Sequence, residues 1–351
     1  MARRSCLALL LLLVHLSIPV ATVHALAPAD RLDRFRALAA TRLAGAQLGD
    51  ESAPDDAYRE IYALFDEEIV ESLGSGGVFA SIGFLQDRLD AFAETWGATV
   101  VRVMRVGPLT VGAFQLSDGP VGNSVRVYGR LREEAALLTT LSREGRPIVY
   151  PIAPAAGPLV QFLVVWEAQP SPHGARPLRV ELVRQHGDGV RVVWSSTSAF
   201  PDGLFVRSWS VRGNELRVQY EMRYPGWTPG CTGQTEQEDV YRLAAAEPGV
   251  VRIGRRQVNG WHRDFRDLVT RLFSAISADD RQTLSGLVPD AGLRTRLPRT
   301  LRAEPACDAT EGASMPERVS VAATAERGPW QLTWERRGTQ WRLIQATPIG
   351  P

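Results

Sequence analysis

The stretch Leu216-Arg217-Val218-Gln219-Tyr220-Glu221-Met222-Arg223-Tyr224 decides how the middle of this 351-residue chain folds. Apolar and polar side chains alternate along it with period two, which is the pattern of a strand with one face in a core and one in water. The same alternation occurs upstream, in Leu178, Val180 and Leu182 and again in Val190, Val192 and Trp194. His186-Gly187-Asp188-Gly189 joins those two runs as a hairpin, and Arg212-Gly213-Asn214 marks another. Val160 to Trp166 is almost continuously apolar and reads as a central strand covered on both sides. About ten to twelve short strands fit between residues 98 and 257. Their consecutive hairpins predict an antiparallel meander forming a sandwich, a barrel or a propeller-like set of blades.

On either side of the meander the period lengthens. Tyr58, Ile61, Tyr62, Phe65, Ile69 and Leu73 fall at helical spacing, as do Ile82, Leu85, Leu89, Phe92 and Trp96. Asp55 and Asp56 suit the start of the first helix, while Gly74 and Gly97 suit the stops. A further helix at about 29–44 is rich in Ala and Arg and reads as mobile, with 45–54 as its linker. Beyond the meander, Trp261, Phe265, Leu268, Leu272 and Ile276 make one helical face, with Asn259 as cap, and Ser277 caps a shorter helix. Three strands follow, at about 317–325, 329–336 and 339–346. The expected fold class is therefore α+β: a helical region at 26–97, the antiparallel β meander at 98–257, and a helix-plus-sheet unit at 258–351.

The strands ending in Trp330-Gln331-Leu332-Thr333-Trp334 and Trp341-Arg342-Leu343-Ile344, preceded by helices, resemble the C-terminal part of an NTF2-like (cystatin-like, α+β cone) domain. The resemblance covers the last ninety or so residues. It implies a curved sheet around a cone-shaped pocket, in a family that includes both enzymes and non-catalytic binding modules. It implies no particular catalytic residue.

Residues 1–25 read as a secretory leader: Arg3 and Arg4, then the apolar core Leu7 to Val14, then cleavage near Ala25 after Val23-His24. The leader removes two Arg and no acid, so 38 basic residues remain against 39 acidic ones. That balance gives no electrostatic case for nucleic acid. No other stretch is long and apolar enough to span a bilayer, so the exported chain is expected to be soluble, secreted or periplasmic. Cys6 leaves with the leader. The remaining Cys231 and Cys307 most simply form one disulfide in an oxidising compartment, closing a loop worth about 4 kcal/mol in the chain-entropy model. Two free thiols or a metal pair are the alternatives, and neither Cys has a second ligand at zinc spacing.

Chemistry is sparse. All forty basic residues are Arg. Without a single Lys, Schiff-base chemistry, a Ser/Lys dyad and a P-loop lysine are excluded. No zinc-protease, hydrolase-elbow, Walker or EF-hand motif is present, and no cofactor or metal is expected. Gly74-Ser75-Gly76-Gly77 joins two helical stretches and reads as a turn. His173 and His186 read as loop residues. His262, among Arg263, Asp264 and Arg266, reads as part of a solvated helix face, with a general base as the sharper alternative.

The densest unusual stretch is residues 224–241, YPGWTPGCTGQTEQEDVY. Two Pro-Gly pairs flank Trp227 and present it on a loop that Cys231 anchors. Glu236 and Glu238 share one strand face and Asp239 takes the other. Two such carboxylates suit Ca²⁺ or an acid/base pair, or else the charged solvent face of an edge strand. Trp227, Glu236 and Glu238 are the candidate ligand-binding residues, and no catalytic residue is assigned. The other strand-borne tryptophans read as core. The expected role is a non-catalytic binding or assembly module whose partner is a protein or a small ligand. The alternatives are an exported hydrolase using carboxylates and a small-ligand carrier using the C-terminal pocket.

Overall fold

Among the described residues, three helices lead into three antiparallel sheets. The computed structural model describes residues 30–47, 55–97, 100–152, 160–172, 174–244, 249–309 and 315–350. The expected leader with Cys6, the linker residues 48–54, and His173 lie outside the described residues.

Helices α1 (Arg31–Gln47), α2 (Asp55–Ser75) and α3 (Ile82–Trp96) form one layer. The stripes on α2 and α3 face inward as their spacing requires. Helix α2 runs on to Ser75, and Gly76 and Gly77 then take the left-handed backbone that ends it. Ser81 caps α3 by accepting from Phe84 N at 3.2 Å. Helix α1, whose composition suggested a mobile segment, is packed on its neighbours. Phe35 is fully buried, its ring 5.0 Å from Phe92 and 5.7 Å from both Phe65 and Trp96.

These helices cover one face of a four-stranded sheet in sequential order: β1 (Val100–Val106), β2 (Leu109–Gln115), β3 (Asn123–Leu131) and β4 (Glu134–Ser142). Val101, Val103, Phe114 and Tyr128 share a core with the helices, so region 26–97 does not bury its apolar faces alone. The opposite face of the same sheet, with Val111, Val125 and Val127, packs on Phe162, Val164 and Trp166 of a second sheet.

That second sheet has eight strands: β5 (Arg146–Ile152), β6 (Gln161–Glu167), β7 (Arg176–His186), β8 (Gly189–Ser195), β9 (Leu204–Arg212), β10 (Glu215–Glu221), β11 (Glu236–Leu243) and β12 (Val250–Val258). Its path is β12-β11-β10-β9-β7-β6-β5. One edge of β7 is shared, its start pairing β9 and its end pairing β8. Strand β6 is buried along nearly its whole length, the reason its sequence does not alternate. The inner face carries Leu163, Val180, Leu182, Leu216, Val218 and Tyr241 in a single cluster, so the sheet curves around its own core. It does not close into a barrel, because β12 and β5 remain unpaired edges among the described residues. The twelve strands are thus a meander of two packed sheets.

The C-terminal unit contains α4 (Gly260–Ala278), α5 (Arg281–Leu287), α6 (Ala291–Arg296) and a third sheet, ordered β13 (Arg302–Ala303), β14 (Arg318–Ala325), β15 (Gly328–Arg337) and β16 (Gln340–Pro348). Phe265, Val269 and Leu272 of α4 lie in one core with Leu332, Trp334, Trp341 and Leu343. Each such side chain stabilises by about 1.5–3 kcal/mol when fully buried. Two expected caps differ. Helix α4 passes through Ser277, and the cap of α5 is Asp280, which accepts from Thr283 N at 3.1 Å. Asn259 holds a left-handed backbone and makes no side-chain cap, its carbonyl instead meeting the Thr235 hydroxyl at 2.7 Å.

Candidate functional site

Residues 222–235 connect β10 to β11 and carry the candidate loop. Two turns shape it, closed by Trp227 N to Tyr224 O at 2.8 Å and Cys231 N to Thr228 O at 3.4 Å. Gly226 sits at φ +84°, and a Cβ there would stand 2.0 Å from Arg266 Nε. Only glycine satisfies both conditions. Gln234 braces the loop from inside, accepting from Thr228 N at 2.8 Å and donating to Thr228 O and to Cys231 O at 3.0 Å. Cys231 is joined to Cys307, with Cα atoms 5.2 Å apart.

The base of the loop is bound to α4 through a buried chain of polar groups. Tyr224 Oη accepts from Thr235 N at 3.0 Å and lies 2.6 Å from His262 Nδ1. Its one proton therefore goes to Nδ1. His262 Nε2–H then donates to Asp308 Oδ1 at 2.9 Å, and Arg266 Nη1 donates to Asp308 Oδ2 at 2.8 Å. One imidazole tautomer satisfies the phenol, the imidazole and the carboxylate, while Arg266 Nε stays buried without a partner among the described residues. Burial, its leading cause, raises the Tyr224 hydroxyl above its ordinary value. His262 has no solvent exposure, so the solvated helix face expected for it is corrected. Its partners lie 38 and 46 residues away in sequence, not on its own helix.

The carboxylates behave differently from one another. Glu236 and Glu238 do share a face of β11, but β11 lies between β10 and β12 and is not an edge strand. Each has arginine partners: Arg207 Nε lies 3.3 Å from Glu236, and Arg256 Nη2 lies 3.0 Å from Glu238. Gln219 also donates to Glu236. Asp239, on the other face, is fully buried, and sequence reading gave it no role. It accepts from Tyr220 Oη and Tyr241 Oη at 3.2 Å each, from Gln237 Nε2 at 3.0 Å and from Arg255 Nε at 3.1 Å. Burial, and after it the Asp239 charge, pushes the Tyr220 hydroxyl up to about 12 and raises that of Tyr241 as well. The period-two spacing of Gln237, Asp239 and Tyr241 was the available signal. Among the described residues, no three His, Cys, Asp or Glu side chains gather as a metal site.

Trp227 is half-buried. Arg223 Cζ lies 5.6 Å from the Trp227 ring centre and 5.2 Å from that of Phe205 on β9. Arg223 is exposed and, among the described residues, has no acidic partner. The loop thus displays a cation held over two aromatic rings, beside exposed Pro225 and Pro229.

No family model matches this chain, and no curated protein matches it in sequence. Among solved structures, a Bacteroides uniformis protein provisionally named a 6-phosphogluconolactonase aligns over 71% of this chain and 70% of its own, at 9% identity and a TM-score of 0.17. A Lactobacillus plantarum protein aligns over 70% and 69%, at 8% identity and a TM-score of 0.16. Scores this low carry no argument about fold or activity.

Proposed function

We propose that this chain is a binding or assembly module that works outside the reducing cytosol, secreted or periplasmic, and that its partner is a protein. The observation that carries the reading is Arg223, a cation without an acid partner among the described residues, held over Trp227 and Phe205 on a disulfide-anchored loop. Trp and Arg are the side chains most enriched among residues that dominate interface energies, and a loop already ordered loses little freedom on binding. The Cys231–Cys307 bond and the leader-like residues 1–25 support an oxidising destination. Among the described residues no helix is long and apolar enough to cross a membrane.

A hydrolase using carboxylates finds less support. His262 and Asp308 are enclosed and already bonded, and Asp239 is ringed by its own donors. The clefts between α2 and β3–β4, among α4–α6, and beside β7 and β9 each carry at most one carboxylate, and none is lined by His262. For the C-terminal unit we keep the NTF2-like reading as a proposal, supported by its order of helices followed by an antiparallel sheet. Its role would be a scaffold rather than a carrier, since Leu332, Trp334 and Leu343 lie buried against α4 on the inner face.

The test is photo-crosslinking in the compartment to which the chain is exported, with a benzophenone amino acid in place of Phe205. A discrete adduct that falls about tenfold in yield when Trp227→Ala is added supports the reading. The thermal midpoint should be nearly unchanged. No adduct, or a loss of several kcal/mol of stability in Trp227→Ala, refutes it.

A further inference from the structure

A second site is built from different elements and does not depend on the loop. Where α2 crosses the ends of β3 and β4, a cleft of about 410 Å³ opens. Its polar lining is Tyr58, Arg59, Tyr62, Arg126, Thr140 and Ser142. Every one of these side chains can donate a hydrogen bond, and the lining contains no carboxylate, amide or imidazole. The apolar part of the wall comes from the two tyrosine rings with Pro120 and Val121, the latter well exposed.

Arg59 already pairs with Asp56, but two features show that part of this donor set is not consumed by the fold. Tyr62 is more than nine-tenths buried, yet its Oη has no hydrogen-bond partner. Arg126 lies with Cζ 5.1 Å from the Tyr62 ring centre. Asp66 engages Nε of Arg126 at 2.7 Å and its Nη2. On the same face of β3, Ser124 Oγ is also buried without a partner, directly across from Ser142. Buried donors normally find acceptors, so a group left over at a cleft marks a place where a ligand can supply one. Arg126 is held in place by Asp66, which also accepts from Tyr128 Oη at 2.7 Å. Its orientation is therefore fixed before any ligand arrives.

We infer that this cleft binds a small aryl oxyanion, a carboxylate or phosphate carried on a ring. The oxyanion meets Arg126, Arg59 and the Tyr62 hydroxyl, and the ring packs between the tyrosines and Pro120-Val121. A cation would meet two guanidinium groups and no carboxylate in the lining.

The full-length exported chain is titrated calorimetrically with phenyl phosphate, benzoate, inorganic phosphate and benzylamine. Saturable binding of phenyl phosphate or benzoate, with none of benzylamine, is expected. Which of the two anions binds more tightly identifies the headgroup. Weaker binding of inorganic phosphate shows that the ring contributes. Arg126→Gln abandons Asp66 and risks misfolding, so the decisive variants are Tyr62→Phe and Arg59→Gln. Each should weaken binding about fivefold while the thermal midpoint holds. The inference is overturned if neither aryl anion saturates, if benzylamine binds equally well, or if both variants bind as the parent does.

Discussion

Two buried polar groups in this molecule look alike in composition and differ in what they leave unbonded. Beneath the 222–235 loop, Tyr224, His262, Asp308 and Arg266 form a closed chain in which the phenol, the imidazole and both carboxylate oxygens have partners. Beside α2, Tyr62 keeps an unbonded hydroxyl next to Arg126 in the lining of a cleft. The first arrangement joins segments that are far apart in sequence and is shut off from water, so its value is structural. The second has donors to spare at a surface, so its value is in recognition. Identity of residue type does not separate the two: each leaves a buried donor unbonded, Arg266 Nε in the first and the Tyr62 hydroxyl in the second, but the second belongs to the lining of a cleft.

The largest expected effect breaks the closed chain. Asp308→Ala leaves Arg266 and His262 buried without their shared acceptor, and an uncompensated buried charge costs about 3–5 kcal/mol. Urea unfolding should show that loss. A loss below about 1 kcal/mol would mean the buried chain holds nothing together. Next in size, Cys231→Ser with Cys307→Ser should lower stability by about 2–4 kcal/mol. The corresponding direct observation is thiol titration of the denatured, unreduced chain lacking residues 1–25. It should give no free thiol, whereas two would place the sulfurs apart.

Alkaline titration tests the tyrosines together. Tyr62, Tyr128, Tyr150, Tyr220, Tyr224 and Tyr241 all hold their protons more tightly folded than free, with burial the leading cause in each. A hydroxyl whose value is raised by folding stabilises the native state fully below its unfolded value near 10. That contribution is lost as pH climbs through the folded value, about 12 for Tyr220. Stability should therefore be flat with respect to these groups up to about pH 9.5 and fall above pH 10. Absorbance near 295 nm should show most phenolate appearing only with unfolding. Free ionisation of all seven tyrosines near pH 10 in the native state would contradict the burial described.

Much of the architecture was legible because it rests on local pattern. Alternation placed the strands on either side of Gly187 and Gly213, and each of those glycines indeed sits at positive φ in a hairpin. The stripes on α2 and α3 gave their buried faces. Long-range choices were not legible. Phe35 stands among Ala and Arg, and nothing nearby in sequence marks it as core. Glu236 and Glu238 were placed on one face by period two, but whether β11 is an edge depends on β12 folding back beside it. His262 looked solvated because its helix neighbours are charged, while Tyr224 and Asp308, which enclose it, come from two distant loops. The same holds for the α2 cleft, whose donors come from α2, β3 and β4 and have no common motif.

The smallest expected effect sharpens the comparison most, because one chemical change is made in both places. Tyr224→Phe removes an oxygen that accepts from Thr235 N and donates to His262 Nδ1. Two buried partners are then unsatisfied, and the loss should be about 1–3 kcal/mol. Tyr62→Phe removes an oxygen with no partner, so no hydrogen bond is lost and the desolvated hydroxyl is relieved. Its effect on stability should lie near zero or be stabilising by less than about 1 kcal/mol. Urea midpoints measured side by side decide the matter. Equal losses in the two variants would mean that the Tyr62 hydroxyl is bonded within the fold after all, and the distinction between a shut cross-link and an open donor set would fail.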